Sequence, residues 1–247
     1  DHLDIYGDDQ TLKESFKEFI HQINEKGQLF VQEKVADELV DANFKTRTGT
    51  YGINRGQFFA ENITIENGFF VFDYIDNDTR IAGIRLGVSG FHNVENAVAA
   101  IAVALYLGVS HDIVKAGLEN YRGVKRRFEF ILRTNNKVLV DDYAHHPIEI
   151  SAFLKSLKAL FSESQITVIF QPHLFSRTRD FAREFADSLS IADQIILLPV
   201  YPAREEPIDG VSSKMLFDLI DSENKHLADG DGLIELLGQL QPKLVAT

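Results

Sequence analysis

The chain contains no cysteine, which excludes disulfide frameworks, zinc ribbons and thiolate catalysis and leaves no sign of a secreted context. Basic residues are scarce beside acidic ones: Lys and Arg total 25 against 37 Asp and Glu, a formal charge of −12. That balance argues against nucleic acid or an anionic membrane as partner, since both need a basic face. An anionic substrate must then be held by a local basic cluster or a metal ion. Runs of about 18 apolar residues, as a membrane span requires, are absent, and so is the basic-then-apolar pattern of a signal peptide. A cytoplasmic protein without membrane insertion is expected. The chain also opens on Asp1-His2-Leu3-Asp4, its one methionine being Met215, so it reads as a fragment or a processed chain.

What is present is the composition of a globular protein: 247 residues, 45% hydrophobic and 25% charged, enough for one large domain or two modest ones. Leu12, Phe16, Phe19, Ile20 and Ile23 recur at helical spacing, and Leu29 to Val31 reads as a short strand. From about Phe44 to Val88, β-rich runs separated by Asn67-Gly68 and Asp76-Asn77 predict an antiparallel meander of roughly three strands. Val94, Ala97, Val98, Ile101, Ala102 and Leu105 form a helical stripe closed by Gly108, and a second helix follows Ser110.

Beyond Arg126 strands alternate with helices: Lys137 to Val140, Pro147 to Phe161, Ile166 to Phe170, Arg177 to Leu189, and Ile195 to Val200. Such alternation implies βαβ units and a parallel sheet. The domain boundary is placed near Arg122-Gly123.

Three polar segments each follow an apolar strand: Asp141 to Pro147, Gln171 to Arg179, and Tyr201 to Glu206. Parallel sheets bind ligands at the carboxyl ends of their strands, so the three make one candidate site. Asp-Asp-Tyr-Ala-His-His-Pro offers carboxylates and imidazoles for a metal or a ribose; its plain alternative is a strand end with His146 capping a helix and Pro147 at its first position. Arg177 and Arg179 fall at a helix start, against the helix dipole. A bound anion would relieve that conflict through backbone N–H groups and an arginine fork, unless the arginines simply pair with Asp180 and Glu184. Lys125, Arg126 and Arg127 form a second basic cluster interleaved with Phe128 and Phe130. There Arg127 suits a base or a phosphate, a solvated face being the alternative. His92, Asn93 and Asn96 open the Ala-rich helix as caps or as readers of an adenine edge. His21, His111 and His226 read as surface residues.

Taken together, Asp1 to Asp4, Gly90 to Ala97, Gly123 to Glu129, Asp141 to Pro147, Phe170 to Arg179 and Val200 to Pro207 resemble the motifs of the Mur ligase family, and specifically of its alanine-adding branch, in the family order. The resemblance implies an α/β chain in two parts. Residues 1–122 would be the C-terminal part of a central, ATP-binding domain carrying the antiparallel β-meander, and residues 123–247 a Rossmann-like, parallel-sheet C-terminal ligase domain that receives the amino acid. It implies ATP and Mg²⁺ as cofactors, and UDP-N-acetylmuramate and L-alanine as substrates: ATP phosphorylates the sugar carboxylate, and the amine of alanine attacks the acyl phosphate to form an amide. Phosphate leaves readily, while Mg²⁺ and cations stabilise the transferring charge.

On the same resemblance, His2 and His145 would contact the metal, Asn93 and Asn96 the adenine, and Arg127 and Asp142 the nucleotide's phosphates and ribose. His173, Arg177 and His145 would be catalytic, and Tyr143, His173, Arg177 and Arg179 would line the amino-acid side. Leu174 departs from the family, which often has a basic residue there. No Gly-Lys dipeptide occurs, so the P-loop that phosphate transfer requires is missing, as is a UDP-sugar domain, and the chain alone is expected to be inactive. Murein peptide ligase, a metal-dependent hydrolase and a non-catalytic binding module remain the competing readings.

Overall fold

A computed structural model describes residues 6–247, so Asp1-His2-Leu3-Asp4, including the expected metal ligand His2, lies outside the described residues. The chain divides into two compact units, one ending at Arg122 and the other running from Gly123 to Thr247.

In the first unit, α1 (Asp9–Ile20) starts where the Asp8 carboxylate accepts the Thr11 amide at 2.7 Å, which satisfies one of the donors a helix start leaves open. Ile20 packs with Leu29 and Val31 of β1 (Gln28–Gln32) and with Val35, Ala36 and Leu39 of α2 (Glu33–Leu39). Four more strands complete a sheet ordered β1-β2-β3-β4-β5: β2 (Arg47–Ile53), β3 (Phe58–Glu66), β4 (Phe69–Ile75) and β5 (Arg80–Arg85). β3, β4 and β5 are the expected antiparallel meander, and alternation in β4 buries Phe70, Phe72 and Tyr74 completely.

The meander is only part of the sheet, because β1, β2 and β3 run parallel. Parallel neighbours normally need a crossover of about a dozen residues. Here Asn54 (φ 56°) and Gly56 (φ 97°) turn the chain back within four residues, and the Gln57 amide donates to the Thr50 carbonyl at 2.9 Å. Turn chemistry alone does not reveal which way the next strand runs. Across β2 and β3 lies α3 (Phe91–Tyr106), with Val94, Ala97, Val98, Ile101 and Ala102 buried, while α4 (His111–Asn120) packs on β5.

The second unit is a six-stranded sheet ordered β10-β9-β8-β11-β7-β6. Its strands are β6 (Glu129–Arg133), β7 (Val138–Asp141), β8 (Ile166–Phe170), β9 (Gln194–Leu197), β10 (Lys225–Leu227) and β11 (Leu244–Ala246). Only β6 runs antiparallel to its neighbour. The last residues of the chain form a central strand: β11 pairs with both β7 and β8, the Thr247 amide donates to the Val140 carbonyl at 3.0 Å, and the Asp142 amide donates to the Thr247 carbonyl at 2.8 Å.

The connecting helices are α5 (Pro147–Leu160), α6 (Phe175–Asp180), α7 (Ala182–Leu189), α8 (Ser213–Leu219) and α9 (Gly230–Leu240). Leu154 and Leu157 from α5, Phe185 and Leu189 from α7 and Leu216 from α8 join Val140, Ile166, Ile195 and Ala246 of the strands in one buried cluster, as expected when helices cover a parallel sheet. The single helix expected over Arg177 to Leu189 is two. Phe181 leaves helical geometry (φ −115°, ψ 24°) and its ring meets His146 edge-on at 4.8 Å. Among the described residues, no helix is long and apolar enough to cross a membrane.

Candidate functional site

In the second unit the segments that follow β7, β8 and β9 meet at the carboxyl edge of the sheet. The last two are joined beyond the strands: His173 and Tyr201 form an isolated parallel bridge with their rings stacked at 5.5 Å, the Leu174 amide donates to the Tyr201 carbonyl at 3.0 Å, and the Tyr201 amide donates to the Pro172 carbonyl at 2.8 Å. Leu174 turns its backbone to φ 71° and buries its side chain.

The segment after β7 is organised by Glu149. One carboxylate oxygen of this residue accepts the amides of His145 and His146 at 3.1 and 3.2 Å and lies 3.5 Å from His145 Nδ1, while the other lies 3.7 Å from the Arg127 guanidinium. His145 Nδ1 also stands 2.7 Å from the Tyr143 carbonyl oxygen, and the two rings lie 5.1 Å apart. Glu149 is the third helical residue after the His146 cap, the spacing of a capping box, and that pattern could have revealed it in the sequence.

Asp142 turns inward. Its Oδ2 accepts the Phe128 amide at 2.8 Å, holding a loop in which both Arg126 (φ 59°) and Phe128 (φ 51°) are left-handed. Burial pushes the Asp142 carboxyl up to about 6, against the Phe128 amide and the nearby Arg127 charge. Asp141 faces Arg126 at 3.6 Å and the Thr247 hydroxyl at 3.2 Å. The two carboxylates thus point to different backbone and side-chain partners. Among the described residues, no group of three or more His, Asp or Glu gathers as a metal cage.

At α6 the expected ligand anion has a protein substitute. Glu205, from the segment after β9, accepts the Ser176 amide at 2.9 Å through Oε2 and the Ser176 hydroxyl at 2.5 Å through Oε1. Burial alone would raise the Glu205 carboxyl, but these bonds, the Phe175 amide and Arg204 hold it below its ordinary value. The start of the helix is therefore already complemented by a carboxylate. Nothing local in the sequence ties position 205 to position 176. Arg179 is exposed and pairs with Asp180 at 2.7 Å, whereas Arg177 is half-buried.

Electrostatics show what meets at this edge. Burial first, then the charges of Arg177, His145 and Arg204, lower the pKa of His173, with Glu205 opposing. Burial is likewise the first cause of the lowered pKa of His146, to which Arg177 and His145 contribute. His145, His146, His173, Arg177 and Arg204 thus form one cationic corner, in which the His146 and His173 imidazoles are favoured neutral beside a fixed guanidinium. Tyr143 is exposed near it, with the Arg126 guanidinium 5.3 Å from its ring.

Asn93 and Asn96 belong to the first unit, where they open α3 after Gly90 (φ 114°). The Asn93 side-chain amide donates to the Ser89 carbonyl at 2.7 Å, and Asn96 is exposed.

The Mur ligase middle domain matches residues 1–104, and the Mur ligase glutamate ligase domain matches residues 126–245. The UDP-N-acetylmuramate–L-alanine ligase of Flavobacterium psychrophilum is 42% identical over the whole chain, which covers 53% of that relative. The crystal structure of the UDP-N-acetylmuramate–alanine ligase of Thermotoga maritima matches the whole chain and 53% of its own, at a TM-score of 0.75 and 28% identity. A murein peptide ligase from Psychrobacter arcticus shares the fold, at a TM-score of 0.61 and 23% identity over 95% of this chain and 51% of its own. The chain spans about half the length of the curated relatives it matches. With both domain matches in order along it, the chain belongs to the Mur ligase family.

Proposed function

We propose that this chain is the catalytic and amino-acid-receiving half of an ATP-dependent carbon–nitrogen ligase, one that joins L-alanine to the carboxylate of UDP-N-acetylmuramate in the cytoplasmic synthesis of peptidoglycan precursors. The observation that carries the reading is the cationic corner at the carboxyl edge of the parallel sheet. It combines fixed positive charge with two imidazoles, His146 and His173, that favour the neutral form, which suits a substrate that brings a carboxylate and must present an uncharged amine.

In this reading residues 1–122 are the latter part of the central domain and residues 123–247 the C-terminal domain. Arg177 holds the alanine carboxylate. Arg179, paired with Asp180, serves at most as an outer anchor. His173, favoured neutral, accepts a proton from the alanine ammonium so that the amine can attack the acyl phosphate, and His145 borders the phosphate side. Tyr143 lines the amino-acid side. Arg127 and Asp142 serve the nucleotide, Asp142 chiefly by fixing the loop that carries Arg127, and Asn93 and Asn96 take the adenine.

Mg²⁺ fits this site as a phosphate-bound ion, with His145 beside the phosphates. The described residues gather no carboxylate–imidazole cage, and Mg²⁺ commonly keeps its waters and binds through substrate phosphates. When bound, it neutralises charge on the transferring phosphoryl group.

The test is phosphate release by the full-length gene product, with UDP-N-acetylmuramate, ATP and Mg²⁺ supplied and the amino acid varied. Turnover that requires L-alanine is expected, with a recycled tripeptide a poor competitor and the 247-residue chain inactive alone. Tripeptide preference would favour the murein peptide ligase reading, and nucleotide-independent phosphoester hydrolysis would overturn both.

A further inference from the structure

We infer that Glu205 is a positioning residue, fixing the height and direction of Arg177 at the amino-acid pocket. This rests on the ligase reading of the corner. The α6 helix has six residues, and its cap, Leu174, gives it no side-chain hydrogen bond. With so short a helix, the start decides where every side chain points.

Glu205 fixes that start from another segment. Its two oxygens take the two donors of one residue, the amide of Ser176 at 2.9 Å and the hydroxyl at 2.5 Å. A two-point grip on one residue fixes orientation as well as distance. Ser176 immediately precedes Arg177, so the grip acts one residue from the guanidinium. The other end of the same turn is tied to the same segment by the Leu174–Tyr201 backbone bond and the stacked His173 and Tyr201 rings. The start of α6 is therefore held at two points, one backbone and one Glu205. Leu174, the first of these points, is in a left-handed conformation (φ 71°) that is not kept without restraint. Glu205, engaged through both oxygens with Ser176, works through Arg177 and not on the substrate.

The expected result in the full-length protein is a split between substrates. Glu205→Ala raises KM for the amino acid about 10- to 100-fold, the scale on which misplacement by about an ångström acts, and leaves KM for ATP within about twofold. Glu205→Gln, whose carbonyl still accepts one Ser176 donor, recovers part of the loss. Ser176→Ala, which removes only the hydroxyl arm, gives a smaller loss with the same split. In the 247-residue chain, Glu205→Ala speeds hydrogen exchange of the Ser176 and Arg177 amides at an unchanged urea midpoint. The inference is overturned if KM for the amino acid does not move, if both KM values rise together with a fall in the urea midpoint, or if Gln rescues nothing. Failure of the ligase reading would look different: the wild-type protein would show no alanine-dependent turnover, and amide exchange in the isolated chain would still report whether Glu205 holds the helix start.

Discussion

The two units handle left-handed backbone in opposite ways. In the first, the non-glycine residues with positive φ among the described residues are Asn54, Asn62 and Asn67, the side chain that tolerates this region best after glycine. In the second they are Arg126, Phe128, Leu174, Ala203 and Gln241, none of which favours it. Gln241 ends α9 as a left-handed cap, a place where such a residue is ordinary. Of the other four, Leu174 and Ala203 lie in segments that make the corner, and Arg126 and Phe128 in the loop held by Asp142, each in or beside a motif singled out from the sequence. Strain of about 1–3 kcal/mol per residue persists only where surroundings over-determine the conformation. Here the surroundings are identifiable: Asp142 on Phe128, Glu129 on Arg126 at 2.8 Å, and the Tyr201 carbonyl on Leu174. Turns of the first unit serve the fold, while those of the second hold side chains of the proposed site in place at a cost to stability.

The largest expected effect comes from removing the restraint on the Arg126–Phe128 loop. Asp142→Ala leaves the Phe128 amide without its acceptor and is expected to cost about 2 kcal/mol, within the range for an unsatisfied buried donor. Asp142→Asn keeps a carbonyl acceptor and separates this effect from charge. Burial raises the folded pKa to about 6 from the 3.8 of an unfolded Asp, so between those values the folded state holds a proton that the unfolded chain has lost. The stability this group contributes is full below about pH 3.8, falls as pH rises toward about 6, and is flat beyond. Relative to Asp142→Asn, the wild-type protein should lose on the order of 1–3 kcal/mol across that window. A urea midpoint difference that does not change with pH would show that burial does not set the carboxyl.

A smaller effect of opposite sign belongs to His146 and His173. Their folded pKa values lie below 6.5, so the unfolded chain takes up protons first as pH falls. Their contribution is full above pH 6.5 and is lost as pH drops through and below it. His146→Gln should flatten the decline in urea midpoint between pH 7.5 and 5.5. The corresponding change at exposed His111 should leave the decline intact, keeping the effect on the strained side of the molecule.

How much of this was legible in the sequence follows the same divide. Period-two and helical spacing located β4, α3, β8 and α5 nearly to the residue, because those faces are buried by the elements they predict. Composition also pointed to the three convergent segments, since polar residues after apolar strands mark the carboxyl edge of a parallel sheet. What escaped was long-range. The parallel run of β2 and β3 depends on a reversal at Asn54 and Gly56, the split between α6 and α7 on Phe181 meeting His146, and the grip of Glu205 on Ser176 on a partner 29 residues away. The α2, α8 and α9 helices and strand β10 were too short or too weakly patterned to stand out.

The smallest expected effect tests the divide most directly. Ala203 (φ 52°) and Asn67 (φ 52°) have the same backbone angle, both are exposed, and neither side chain makes a contact that a glycine would forfeit to any great extent. If the second unit tolerates real strain, Ala203→Gly should stabilise the protein by about 1 kcal/mol, the left-handed penalty for a Cβ less the added freedom of glycine in the unfolded chain. Asn67→Gly, at a turn already suited to its residue, should change stability by no more than a few tenths of a kcal/mol. Equal gains at both sites would mean that Asn67 is strained as much as Ala203, and the contrast between fold-serving and function-serving turns would collapse. A gain at Ala203 accompanied by a raised KM for the amino acid in the full-length protein would sharpen it, because the alanine would then be stiffening the segment from which Glu205 reaches Ser176.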